Sequence, residues 1–78
     1  MSMQELVELL SKALVDNPDA VQVNMQEDNN NVLIELRVAS EDMGKIIGKQ
    51  GKIARAIRTL AKVQGAKTGK RVSVEILS

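Results

Sequence analysis

The chain has 78 residues, enough for one small domain that buries roughly 60–65% of its unfolded surface. It has no cysteine and no histidine, which removes disulfides, thiolate metal sites and the usual general base near neutral pH. A net charge of +1 conceals a divided molecule: residues 1–42 hold nine acids and two bases, whereas Lys45 to Arg71 holds nine bases and no acid.

No apolar run approaches the roughly 20 residues of a membrane span, and the N-terminus does not read as a secretory leader, so a soluble, cytoplasmic protein is expected. Aromatic residues are absent altogether. Base stacking on Phe, Tyr or Trp platforms is thereby excluded, and any base contact must come from aliphatic side chains, arginine planes and hydrogen bonds.

In chain order, Ser2-Met3-Gln4-Glu5 reads as a capping box. Met3, Leu6, Val7, Leu10 and Leu14 follow at helical spacing and predict a helix over 3–16, which Asn17-Pro18-Asp19 stops. Leu9 and Ala13 lie beside this stripe and widen its apolar surface, read first as ordinary core packing and otherwise as a surface for self-association or a partner. Val21, Val23 and Met25 alternate with polar residues, as do Val32, Ile34, Leu36 and Val38, with the polar cluster Asp28–Asn31 between. These runs predict a hairpin.

Ser40 is placed to cap a short helix carrying Glu41 and Asp42 in its first turn. That helix is expected to end at a Gly48–Gly51 loop, and a second to run from Gly51 to about Gln64. Ile53, Ala56, Ile57, Leu60 and Ala61 make its apolar stripe, opposite Lys52, Arg55, Thr59 and Lys62, with Arg58 at the border. Gly65 reads as its terminator, followed by a basic loop. Val72, Val74 and Ile76 alternate in a last strand. The pattern helix, strand, strand, helix, helix, strand predicts an α+β domain over 1–78: a three-stranded mixed sheet with every helix on one face.

This order, together with the run Met43-Gly44-Lys45-Ile46-Ile47-Gly48-Lys49-Gln50-Gly51-Lys52-Ile53, resembles a type II, prokaryotic KH domain, whose signature is a Gly-x-x-Gly loop between two helices. The resemblance covers essentially the whole chain. It implies the sheet order first–second–third strand and a groove for about four single-stranded nucleotides clamped at the loop. It further implies an RNA chaperone or post-transcriptional regulator, acting as a homodimer or with a larger Jag-type KH protein, and connected with cell-wall synthesis, elongation and division.

The residues give this physical sense. Gly48 and Gly51 let phosphates approach the main chain, and the amides opening the second helix favour an anion. Lys49 and Lys52 add charge, Gln50 completes the loop, and Arg55 reaches the same strand one turn on. Gly44 and Lys45 lie beside the first helix, and Ile47 and Ile53 form an apolar floor in core or groove.

Plainer readings stand beside these. The two glycines serve a tight turn and nothing else; Ile46, Ile47 and Ile53 are core; Gly44 is a packing glycine. Lys62, Lys67, Lys70 and Arg71 form a solvated face that raises the local potential. A KH-fold protein-interaction module that binds no RNA is the alternative, and it calls for acids or bulk in the loop, where Lys49-Gln50 stands. Catalysis is not expected: the run from Gly44 fails as a Walker A loop because Lys49 occupies the second glycine's place, and no nucleophile–base pair, metal cluster or cofactor motif can be assembled.

Overall fold

The computed structural model describes residues 2–78, with the Lys49 side chain outside that description. In chain order the elements are α1 (Met3–Leu14), a 3₁₀ turn (Pro18–Ala20), β1 (Gln22–Asp28), β2 (Asn31–Arg37), α2 (Ser40–Ala66) and β3 (Arg71–Leu77).

The predicted capping box opens α1. Ser2 Oγ accepts from the Glu5 amide at 3.1 Å, and Glu5 Oε1 accepts from the Ser2 amide at 3.1 Å. The Ser2 amide, and after it the Ser2 hydroxyl, hold the Glu5 carboxyl below its ordinary pKa. This cap therefore helps the fold above the usual carboxylate range and is lost as pH falls through the lowered value. The helix buries Val7 and Ser11, with Leu6 and Leu10 only half-buried. The Ser11 hydroxyl is buried without a partner among the described residues.

β1 and β2 pair antiparallel from Gln22↔Arg37 to Asp28↔Asn31, turned by Asn29 at φ 55°, a conformation asparagine tolerates better than most residues. β2 and β3 pair parallel from Asn31↔Arg71 to Arg37↔Leu77, so the order is β1-β2-β3, the mixed sheet expected. Val23, Val32, Ile34, Leu36, Val72 and Val74 are buried on one face against Val7 of α1 and Ile46, Ala54, Ile57 and Ala61 of α2. The opposite face carries Asn24, Gln26, Ser73 and Glu75 in the open. Each outer strand is also fastened to a helix: Gln4 Nε2 donates to the Val23 carbonyl at 2.9 Å, and Arg58 Nε to the Val74 carbonyl at 3.5 Å.

α2 differs from its sequence reading in three ways. Its 27 residues form one element, Ser40–Ala66, with no four-residue loop set apart within it. A straight helix of that length spans roughly 40 Å, more than the molecule's longest extent of 34 Å. The chain bends instead at Gln50 and Gly51, both left-handed at φ 62° and 70°, which divides α2 into two arms. The predicted pair of helices is present, with a two-residue kink as the hinge. Second, Ser40 is the first helical residue, not the cap; Ala39 holds that place and offers no side-chain oxygen.

Third, the buried stripe of the second arm is Ala54, Ile57, Ala61 and Gly65, while Ala56 and Leu60 face outward. Gly65 lies within the helix and does not end it. A Cβ there would sit 2.3 Å from Val72 Cγ2 and 3.1 Å from the Lys70 carbonyl, so the missing side chain lets the arm seat against the start of β3. The chain turns afterwards through Thr68 and Gly69, the latter at φ 71°.

A buried acid positions the first arm. Asp42 is 1% exposed, and its two oxygens accept the amides of Asp16 (3.1 Å) and Asn17 (3.0 Å), where the chain leaves α1. Asn17 Nδ2 reaches Glu41 at 2.7 Å, and Lys45 Nζ meets Asp16 at 3.0 Å. The end of α1 is thus tied to the opening turn of α2, whose dipole favours the carboxylate.

Candidate nucleic-acid interface

The bend brings Gly48, Gln50, Gly51 and Lys52 to the surface together: Gln50 and Lys52 are exposed, and the two glycines half-buried. Two consecutive left-handed residues turn their peptide planes away from the helix axis. Gly51 accepts this freely, whereas a side-chain-bearing residue such as Gln50 is disfavoured there by about 1–2 kcal/mol. Arg55, five residues on, donates from Nη2 to the Gln50 carbonyl at 2.7 Å.

The three glycines of this region can be tested for a packing role. A Cβ built on Gly44, Gly48 or Gly51 meets nothing within 4 Å. Only Gly51 has a positive φ; Gly44 and Gly48 do not. Glycine within a helix costs about 1 kcal/mol relative to alanine. For Gly44 and Gly48 this chain's own packing returns nothing, so the reading of Gly44 as a packing glycine does not hold. In the same stretch Gly65 shows what a packing glycine looks like.

The isoleucines separate. Ile46 is fully buried, Ile53 is half-buried against the core, and Ile47 is 52% exposed one residue before Gly48. The core expectation thus fails for Ile47, because neighbours on a helix point about 100° apart and cannot both face the sheet. Lys45, counted among the site residues, is engaged by Asp16. The Lys49 contact expected from the sequence lies outside the described residues.

Arg55 and Arg58 lie one turn apart, and Lys62 follows one turn later, so the three share one flank of the second arm. Arg58 reaches the Val74 carbonyl of the outer strand, which makes it the cation between the arm and the edge of the sheet. The hydropathy pattern places it only at the border of the polar face; its i+3 spacing from Arg55 puts the two guanidinium groups on the same flank. Lys70 pairs with Glu27. Among the described residues, Lys45 and Lys70 are the bases of the 45–71 segment that meet acids, and they stand toward its two ends. The same residues include no group of three acids placed to hold a metal, and no helix long and apolar enough to cross a membrane.

Comparison with known proteins bears on the whole chain. Residues 4–76 match the family model described as KhpA/KhpB, KH domain. The chain belongs to this family. Its KH-family relatives include RNA-binding protein KhpA of Caldanaerobacter subterraneus subsp. tengcongensis, 61% identical over 75 residues, covering 96% of this chain and 100% of the relative. RNA-binding protein KhpA of Aquifex aeolicus is 53% identical over 76 residues, covering 97% and 96%. That of Clostridium acetobutylicum is 53% identical over 75 residues, covering 96% and 100%. Among solved structures, a point variant of Aquifex aeolicus Era bound to GDP.AlF4- superposes with a TM-score of 0.65 at 23% identity. The match covers 96% of this chain and 29% of that one, and it shows a shared fold alone.

Proposed function

We propose that the protein binds single-stranded RNA with low sequence specificity, the sugar-phosphate backbone seated on the bend at Gly48–Gly51. The observation that carries this is the pair Gly44 and Gly48: helical glycines that open onto unoccupied space and that the fold does not require. Absent side chains at an exposed, acid-free, basic bend suit the close approach of a polyanion. Relatives of nearly the same length named as RNA-binding proteins support the same reading. Within it, Lys49, Lys52 and Arg55 supply charge at the bend, Ile47 an exposed apolar contact, and Gly44 the approach beside the first arm. Ile53 supports the site from the core side, and Lys45 takes part by releasing Asp16.

Titrating a fluorescent single-stranded RNA in rising salt tests the proposal. The log of the association constant should fall linearly with log salt, with a slope near −0.7 per phosphate neutralised. Gly48→Ala is expected to raise stability to unfolding by about 0.5–1 kcal/mol, through helix propensity, while weakening RNA binding. Undiminished binding by this variant would remove the glycine argument.

By family likeness the protein acts as an RNA chaperone or post-transcriptional regulator in the cytoplasm, as a homodimer or with KhpB, the Jag-type partner, and influences cell-wall synthesis, elongation and division. A single short site holds RNA weakly, and pairing two sites raises avidity. Leu60 and Val63 on the second arm, 43% and 52% exposed, give such an association an apolar surface. Leu60→Glu is expected to turn a dimer seen by sedimentation into a monomer; an unchanged mass moves the interface elsewhere. The same exposed pair favours a second reading, a protein-interaction module that binds no RNA, which the titration above decides. Crosslinking in cells with sequencing of the bound RNA tests the cellular role, and recovery of no RNA would discard it.

A further inference from the structure

Gln50 is one of two non-glycine residues with positive φ among those described. The other, Asn29, occupies a hairpin turn, where a short amide side chain suits the conformation. Gln50 has no such local reason, and a residue held in a sparsely populated region persists where its surroundings over-determine it. One contact reaches this residue's own carbonyl: Arg55 Nη2 donates to it at 2.7 Å. The segment from Lys45 to Arg71 contains no carboxylate to draw the guanidinium elsewhere, and Gln50 is the hydrogen-bond partner found for Arg55 among the described residues.

We propose that Arg55 is a positioning residue that sets the shape of the bend through the Gln50 carbonyl, and that this, more than its charge, is its contribution to binding RNA. The inference rests on the proposed RNA-binding function and adds how the site is held ready. A guanidinium suits the task because it presents five donors in a rigid plane: one holds the carbonyl while the others remain directed outward. Lysine keeps the charge but offers a flexible ammonium, so the two residues are not equivalent here. The device also accounts for a bend whose hinge is a glutamine followed by a single glycine: the arginine supplies the constraint that a second glycine would remove.

The experiment compares wild type, Arg55→Lys, Gln50→Gly and the double variant. Each is titrated with a fluorescent single-stranded oligouridylate across a range of salt, and amide NMR spectra are recorded without RNA. Loss of one charge-assisted hydrogen bond should weaken binding by Arg55→Lys about five-fold with the salt slope unchanged. Gln50→Gly, which relieves the left-handed strain, should bring the double variant back to within about two-fold of Gln50→Gly alone. In the free protein, Arg55→Lys should shift the amides of residues 50–52. The inference is overturned if Arg55→Lys binds as wild type does, or if those amides stay in place. If wild type binds no RNA, the proposed function fails, and the spectra of the free proteins still decide whether Arg55 sets the bend.

Discussion

Replacing Lys49 and Gln50 together with aspartate should weaken RNA binding on the order of 100-fold near 0.1 M salt and leave the fold intact. The exchange changes the charge between the two glycines by three units. Each unit close to a phosphate is worth about 1 kcal/mol in water, and every 1.4 kcal/mol is a factor of ten. Stability should be nearly untouched, since Gln50 is exposed and aspartate tolerates its left-handed backbone better than glutamine does. Circular dichroism and urea unfolding establish the fold, and anisotropy with a labelled single-stranded RNA measures the binding. An intact variant binding within two-fold of wild type would show that the bend is not the RNA site.

The largest stability effect is expected at Asp42. Its carboxylate accepts two main-chain amides from a segment 25 and 26 residues earlier in the chain. Asp42→Ala leaves the Asp16 and Asn17 amides without these acceptors and opens a gap at a fully buried position. The combined cost should be about 2–4 kcal/mol. In a domain of this size that lowers Tm by roughly 10–25 °C. Asp42→Asn keeps the volume but presents one amide with an NH₂ group in place of an acceptor, so it should fall between alanine and wild type. A loss below about 0.5 kcal/mol in urea unfolding of Asp42→Ala would mean that α1 is held to α2 by apolar packing alone.

Most of the architecture is legible because its signals are local. The alternation Val32-x-Ile34-x-Leu36-x-Val38 specifies one buried face of a strand, and all four side chains are buried. Ser2 and Glu5 announce a helix start within four residues of chain. The second arm is harder, because Ile53-Ala54-Arg55-Ala56-Ile57 and Leu60-Ala61 carry two overlapping apolar stripes one residue apart. Hydropathy favours the stripe with Leu60. The fold uses the one with Ala54, Ala61 and Gly65, because small residues bring the arm close to β3, and close approach leaves no mark on a hydropathy scale. Asp42 reads as a dipole partner at a helix start, which it is, but the amides it serves are too distant in sequence to be foreseen. At the candidate site, glycine spacing locates the bend. Arg55's grip on a carbonyl and Arg58's reach to the sheet edge depend on where the backbone goes, and no local pattern encodes that.

The ion pairs of Lys45 with Asp16 and Lys70 with Glu27 act as bookends. The acidic half of the molecule cancels charge near each end of the basic segment and leaves its middle, from about residue 49 to 67, positive. Along the second arm, from Lys52 to Ala66, that middle rises roughly 21 Å. Under the proposed function, attraction for a polyanion is therefore concentrated on a short arc instead of spread over the whole flank.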